Sequence, residues 1–170
     1  MLDRIKGSSK SNIFITGQKR SGKTTIILNY LKKYKFENLA GFMVARKLKD
    51  NQPVSFHLIS PADYINSERV PALNQDNCFA LRARPADYRW QVKPEVFNNL
   101  GVRLLKAGDK NSLVIMDELG RFERNSWEFQ TQVFKTLLSE RQVLGVLKAE
   151  SNPFLDKIRG RTDTDIFHLK

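Results

Sequence analysis

The stretch NIFITGQKRSGKTTIILNYLKKY, residues 12–34, decides how the rest of the chain is read. It opens on an apolar run, NIFIT, of the length of a buried strand. Its middle, Gly17 to Thr25, satisfies G-x-x-x-x-G-K-[ST] at every fixed position. It closes with Ile26, Ile27, Tyr30, Leu31 and Tyr34 at helical spacing, and with Lys32, Lys33 and Lys35 at the helix end, where positive charge complements the dipole. Strand, glycine-rich turn and helix is the context a phosphate-binding loop requires. Gly17 and Gly22 let the backbone turn tightly and aim its N–H groups at phosphate, and the helix N-terminus adds positive potential. Gly17, Gln18, Lys19, Arg20, Ser21, Gly22, Lys23, Thr24 and Thr25 are therefore the candidate nucleotide-binding (Walker A) residues. Lys23 would reach the β- and γ-phosphates, and the Thr24 hydroxyl would ligate Mg²⁺. The expected ligands are Mg²⁺ and ATP or another nucleoside triphosphate.

A second motif completes the site. In SLVIMDELG the apolar residues Leu113 to Met116 place Asp117 at the carboxyl end of a buried strand, where open α/β sheets bind ligands. Asp117 is the natural Walker B residue, holding Mg²⁺ through its water shell. Glu118 is well placed to polarise a water for attack on the γ-phosphate. Lys23 and Glu118 are the candidate catalytic pair, and Thr24 and Asp117 the candidate metal ligands. The long separation of the two motifs favours the P-loop class that inserts an extra strand between them and carries a glutamate beside the Walker B aspartate.

The remaining segments read as follows. Residues 1–11 are a tail and residues 12–170 one domain. LAGFMVARKL and VSFHLIS flank the turn-rich KDNQP as an antiparallel hairpin. Residues 60–76 are a loop. CFALRAR is a strand, with DYRWQV its partner. Pro94 opens a helix with the stripe Val96, Phe97, Leu100, Leu104 and Leu105, and Gly108 suits its end. Ser126 caps a helix that buries Phe129, Val133, Phe134, Leu137 and Leu138. QVLGVL is a buried strand, Asn152 and Pro153 start a short helix that stops near Gly160, and DIFHL is a last strand. Buried strands alternating with helices give an α/β, three-layer fold on a mostly parallel sheet.

Composition narrows the class. The chain of 170 residues carries 29 basic and 18 acidic side chains, a net charge of +11. That charge invites a polyanion: nucleotide, nucleic acid or an acidic partner. The basic residues are scattered rather than blocked. No apolar run has the length of a membrane span, the N-terminus lacks a signal-peptide core, and one cysteine with two histidines is too few for a typical zinc site. The cytoplasm is the default address.

The motifs GQKRSGKTT, GF at 41–42, YRWQVKPEVF, LVIMDELGRFERNSWEF and VLGVLK occur in the order found in the small P-loop nucleoside-triphosphatase family. That archaeal and bacterial NTPase family includes the human cancer-related nucleoside-triphosphatase. After its Walker B strand the family pattern resembles Asp-Glu-x-Gly-x-x-Glu-x-x-Ser, matched here by Asp117, Glu118, Gly120, Glu123 and Ser126. The resemblance covers roughly residues 12 to 147. It implies a recombinase-like α/β core and slow, Mg²⁺-dependent hydrolysis of several NTPs. The chain departs from the family at Gln18, Lys19 and Arg20 in the loop, and at Val44 and Arg46 after the Gly-Phe pair.

Other residues compete for roles. Arg121, Arg124, Arg159 and Arg161 are candidates for a guanidinium that neutralises charge on the γ-phosphate. Tyr88, Arg89 and Trp90 suit a core hairpin better than base stacking. His57 and His168 fall on strand patterns as packing or surface residues, and Cys78 starts an apolar strand as an inert thiol. Guanine specificity has no N-K-x-D motif behind it. Two further functions share the phosphate loop. A nucleotide or small-molecule kinase would use Arg82 and Arg84 on an acceptor, although Arg69 alone makes a poor lid. An NTP-gated module for nucleic acid or protein would use the +11 charge.

Overall fold

The apolar run before the glycine-rich turn forms strand β1 (Asn12–Gly17), with Phe14 and Ile15 fully buried. The two side chains point to opposite faces of a sheet covered on both sides, so polar alternation is absent. The computed structural model describes residues 1–66, 72–82 and 89–169. In chain order the strands that follow are β2 (Leu39–Lys49), β3 (Gln52–Ile59), β4 (Cys78–Leu81), β5 (Gln91–Val92), β6 (Leu113–Leu119), β7 (Val143–Leu147) and β8 (Thr164–Leu169). They form one sheet in the order β5-β4-β3-β2-β6-β7-β1-β8.

The run β2-β6-β7-β1-β8 is parallel, and β3, β4 and β5 extend it antiparallel. In the sheet, β7, the inserted strand expected of this P-loop class, lies between β1, which precedes the phosphate loop, and β6, which carries Asp117. The hairpin turn uses Asp50 and Asn51, both at positive φ, a backbone state these two residue types tolerate.

Helices make the outer layers. On one face, α5 (Val102–Lys106), α6 (Trp127–Leu137) and α7 (Pro153–Arg159) cover a core that includes Phe14, Phe42, Phe97, Phe129 and Leu155. On the other, α1 (Leu2–Lys6), α2 (Lys23–Tyr34) and α3 (Pro61–Asn66) cover Ile15, Ile27, Leu31, Ile115 and Leu144. Gly41 sits at φ +86° with the Ile115 backbone where a side chain would project. Only glycine permits β2 and β6 to approach this closely.

Four expectations need correction. Leu138, expected on the buried face of α6, is its C-cap residue and is 73% exposed. The expected N-terminal tail contains α1, because Ile5 is apolar and buries itself at 2% exposure against α2's side of the sheet. The expected loop over 60–76 begins as α3, whose Tyr64 packs onto the same core; the Ser60 hydroxyl accepts from the Asp63 N–H and caps it. Residues 67–71 of that loop lie outside the described residues. The helix from Pro94 is not one regular α-helix: α4 (Pro94–Val96) leads into a π-helical stretch, Phe97–Gly101, before α5. There Gly101 leaves room for the Phe129 ring, which a Cβ would approach to 2.7 Å. Gly108, at φ +76°, follows the end of α5 as expected.

Candidate active site

Because β1, β6 and β7 are parallel, the segments that leave them emerge at one edge of the sheet. The turn between β1 and α2 has Arg20 at φ +66° and Gly22 at φ +86°, and Gly22 is the N-cap of α2. A loop with these left-handed residues directs successive N–H groups inward, the geometry of an anion nest. Lys23, in the first turn of α2, is buried. Its ammonium donates to the Gly17 carbonyl at 3.0 Å, to the Gln18 carbonyl at 2.5 Å and to the Ser21 hydroxyl at 3.4 Å, so it arches over the loop. Lys19 and Arg20 are exposed on the rim.

Thr24, next on α2, lies beside Asp117, where its hydroxyl favours the charged carboxylate. This proximity brings the two motifs together. Asp117 is 4% exposed. Burial pushes its carboxyl up to about 6, the Glu118 charge works in the same direction, and the Thr24 hydroxyl, Lys23 and Arg46 oppose them. Glu118 is half-buried and forms an ion pair with Lys148, with Nζ 3.1 Å from Oε1. Lys148 directly follows β7.

The arginine candidates separate. Arg159 is tied to Asp156 at 2.7 Å and to the carbonyls of Lys148 and Glu150 at 2.5 and 2.8 Å. Arg161 is held by both Asp163 oxygens, at 2.9 and 2.5 Å. Both are structural. Arg124 is exposed, and Arg121 lies over the Phe122 ring at 5.4 Å. Among the described arginines, Arg46 is one whose charge reaches Asp117. Strand β2 pairs Met43 with Asp117 and then continues past the end of the β2–β6 ladder, still paired with β3, with Arg46 opposite Phe56.

Sequence reasoning noted Arg46 only as a departure and quoted Lys148 only inside a motif. Lys148 carried a usable signal: like Asp117, it ends an apolar run at the carboxyl edge of the sheet. Glu123 supports the turn after β6. It is 2% exposed, accepts from the Gly120 N–H at 2.9 Å, and burial pushes its carboxyl up to about 7. Ser126 does occupy the N-cap position of α6, but its hydroxyl caps nothing and is buried without a partner.

Other candidates sit elsewhere. The His57 ring is bridged between the Ser55 hydroxyl and the Asn77 side chain and is 4% exposed, a packing histidine. His168 is exposed on the edge strand β8. Burial raises the Cys78 thiol above its ordinary range. Trp90 packs against Phe56 and Phe122, with the Arg82 guanidinium 4.8 Å from its ring centre. Arg69, Arg84 and Tyr88 lie outside the described residues. A cavity of about 770 Å³ lies at the far end of α2, lined by Leu28, Leu31, Lys35 and Tyr64, and none of the phosphate-loop residues lines it.

Known proteins resemble this chain in sequence and fold. The chain is 31% identical to nucleoside-triphosphatase THEP1 of Thermotoga sp. (strain RQ2), over 92% of this chain and 85% of that protein. It is 30% identical to the THEP1 of Methanocaldococcus jannaschii, over 85% of this chain and 83% of the relative. In fold it matches the crystal structure of THEP1 from Aquifex aeolicus, with TM-score 0.69, 18% identity and 94% and 90% of the two chains covered. It also matches the solution structure of a human cancer-related nucleoside triphosphatase, with TM-score 0.65, 22% identity and 94% and 88% covered. The family model described as NTPase matches residues 12–170, from the first residue of β1 onward, and the chain belongs to that family.

Proposed function

We propose that this nucleoside-triphosphatase hydrolyses its substrate to NDP and phosphate by Mg²⁺-dependent attack of water, slowly and with broad base tolerance, in the cytoplasm. The observation that carries it is the closeness of Thr24 and Lys23 to Asp117, which brings the phosphate loop and the acidic strand together with Glu118 beside them. The donor set fits the metal. One hydroxyl and one carboxylate are hard oxygen ligands, suited to Mg²⁺, which keeps waters and binds substrate phosphates. The buried Asp117 carboxylate also has a reason to take a dication, since burial alone disfavours its charge. When bound, the ion would neutralise charge on the β- and γ-phosphates.

The protein's own residues supply the rest. The amides from Gln18 to Gly22 cradle the phosphates, with Lys19, Ser21 and Thr25 on the loop's flanks. Lys23 exchanges the carbonyls of Gly17 and Gln18 for the β- and γ-phosphate oxygens. Glu118 polarises the attacking water. Arg46 is the guanidinium best placed to face the charge that develops. Turnover is slow because no arginine finger is fixed by the motifs, an element worth roughly 10³–10⁵ in rate elsewhere.

The test is phosphate release from ATP, GTP, CTP and UTP with Mg²⁺ by the wild type and Glu118→Gln, together with nucleotide affinity. The expected result is retained binding with turnover reduced about 10²–10⁴-fold, the worth of a general base. Unimpaired turnover in Glu118→Gln would remove the base assignment. Binding without hydrolysis in both proteins would instead favour transfer to an acceptor or a partner-gated role.

A further inference from the structure

The ion pair at Glu118 is built differently from an ordinary surface contact. Exposed lysine–carboxylate pairs contribute little, largely because two long side chains must be immobilised. Lys148 is immobilised already. Its backbone N–H donates to the Leu119 carbonyl at 3.0 Å, and its own carbonyl accepts from Arg159 at 2.5 Å. Its stem lies on Gly120, where a Cβ would come within 2.6 Å of the Lys148 Cδ. Its ammonium is 5.3 Å from the centre of the Phe122 ring, a cation–π distance. Gly120 is in turn fixed by buried Glu123, which accepts from its N–H at 2.9 Å. The turn after β6 and the end of β7 therefore hold one ammonium in one place, 3.1 Å from Glu118 Oε1.

We propose that Lys148 is a positioning residue for hydrolysis: it fixes the orientation of the Glu118 carboxylate toward the attacking water. It acts through Glu118 and contributes nothing to nucleotide affinity. A carboxylate at the end of a strand has two free torsions beyond χ1, and a base displaced by about 1 Å loses on the order of 10²-fold in rate. Glu123, Gly120, Phe122 and Arg159 then act one step further out, by holding Lys148. This inference rests on Glu118 as the base, and the test below separates the two.

The experiment measures kcat, KM and nucleotide affinity for ATP in wild type, Lys148→Met, Lys148→Arg, Glu118→Gln and the Glu118→Gln/Lys148→Met double variant, with thermal melting of each. The expected result is that Lys148→Met lowers kcat roughly 10- to 100-fold with KM and affinity unchanged. Lys148→Arg, which keeps the charge, recovers most of the loss. In the Glu118→Gln background the second substitution has no further effect, because there is no carboxylate left to orient. Unchanged kcat in Lys148→Met overturns the inference. So does a matching loss of nucleotide affinity, which would make Lys148 a phosphate ligand, and so does a full additional loss in the double variant. If Lys148→Met melts at too low a temperature to assay, Lys148→Gln answers the same question with a polar head retained over Phe122. If Glu118→Gln hydrolyses normally, the base assignment fails. If Glu118→Gln is inactive and Lys148→Met is not impaired, the positioning role fails alone.

Discussion

Glu123 makes the stability of this protein depend on pH in a calculable way. Its carboxyl is buried, and burial raises it from 4.5 to about 7, against the opposing effects of its backbone hydrogen bonds and the Lys148 charge. The folded protein therefore holds the Glu123 proton more tightly than the unfolded chain does. The associated stability is fully present below about 4.5 and is lost as pH rises through about 7. At 1.36 kcal/mol for each tenfold change in proton affinity, the full loss is about 3 kcal/mol. Most of it, about 2–3 kcal/mol, falls between pH 5 and pH 8. Glu123→Gln removes this titration and keeps a carbonyl oxygen to accept from the Gly120 N–H. The buried amide has its own cost, but that cost is the same at both pH values. The measurement is the melting temperature of wild type and Glu123→Gln at pH 5 and pH 8. Relative to wild type, the variant should gain roughly 5–10 °C more at pH 8 than at pH 5, for a chain of this length. An equal difference at the two pH values would refute the assignment of Glu123 as a buried carboxyl titrating near neutrality.

Two further outcomes follow from the fold. Gly41→Ala should destabilise by at least about 2 kcal/mol in urea denaturation, because its φ of +86° is strained for alanine and the obstructing atoms belong to the Ile115 backbone, which cannot swing away. A loss under ~1 kcal/mol would mean that β2 and β6 tolerate separation. Ser126→Ala should change stability by less than ~0.5 kcal/mol, although loss of a working N-cap costs about 1 kcal/mol, because the Ser126 hydroxyl is buried and bonds nothing.

The amino-acid sequence alone determined the local chemistry. The pattern from Gly17 to Thr25 is contiguous, so the loop, its strand and its helix could be read without knowing what surrounds them. The same holds for Asp117 and Glu118, which end an apolar run, and for Asn152, whose side chain accepts from the Leu155 N–H and starts α7 beside Pro153. Alternation of apolar runs with amphipathic segments was enough for the α/β class. Short elements escaped. Leu2–Lys6 and Pro61–Asn66 span only a turn or two, too little to show a period, and they are helical because Ile5 and Tyr64 find a core made by distant residues. The π-helical stretch, in which Gly101 faces the Phe129 ring, likewise follows no local pattern.

Only the tertiary structure decided which charges belong to the site. Arg159 and Arg161 look as available in sequence as Arg46 does. The fold spends the first two on Asp156, Asp163 and nearby carbonyls, while the overrun of β2 past its pairing with Asp117 brings Arg46 within electrostatic reach. Lys148 meets Glu118 because β7 is inserted beside β6, a strand order that no local pattern encodes. The physical reason is the same in each case. A helix or a phosphate loop is specified by neighbours along the chain, whereas an ion pair across parallel strands is specified by the packing of segments far apart in sequence.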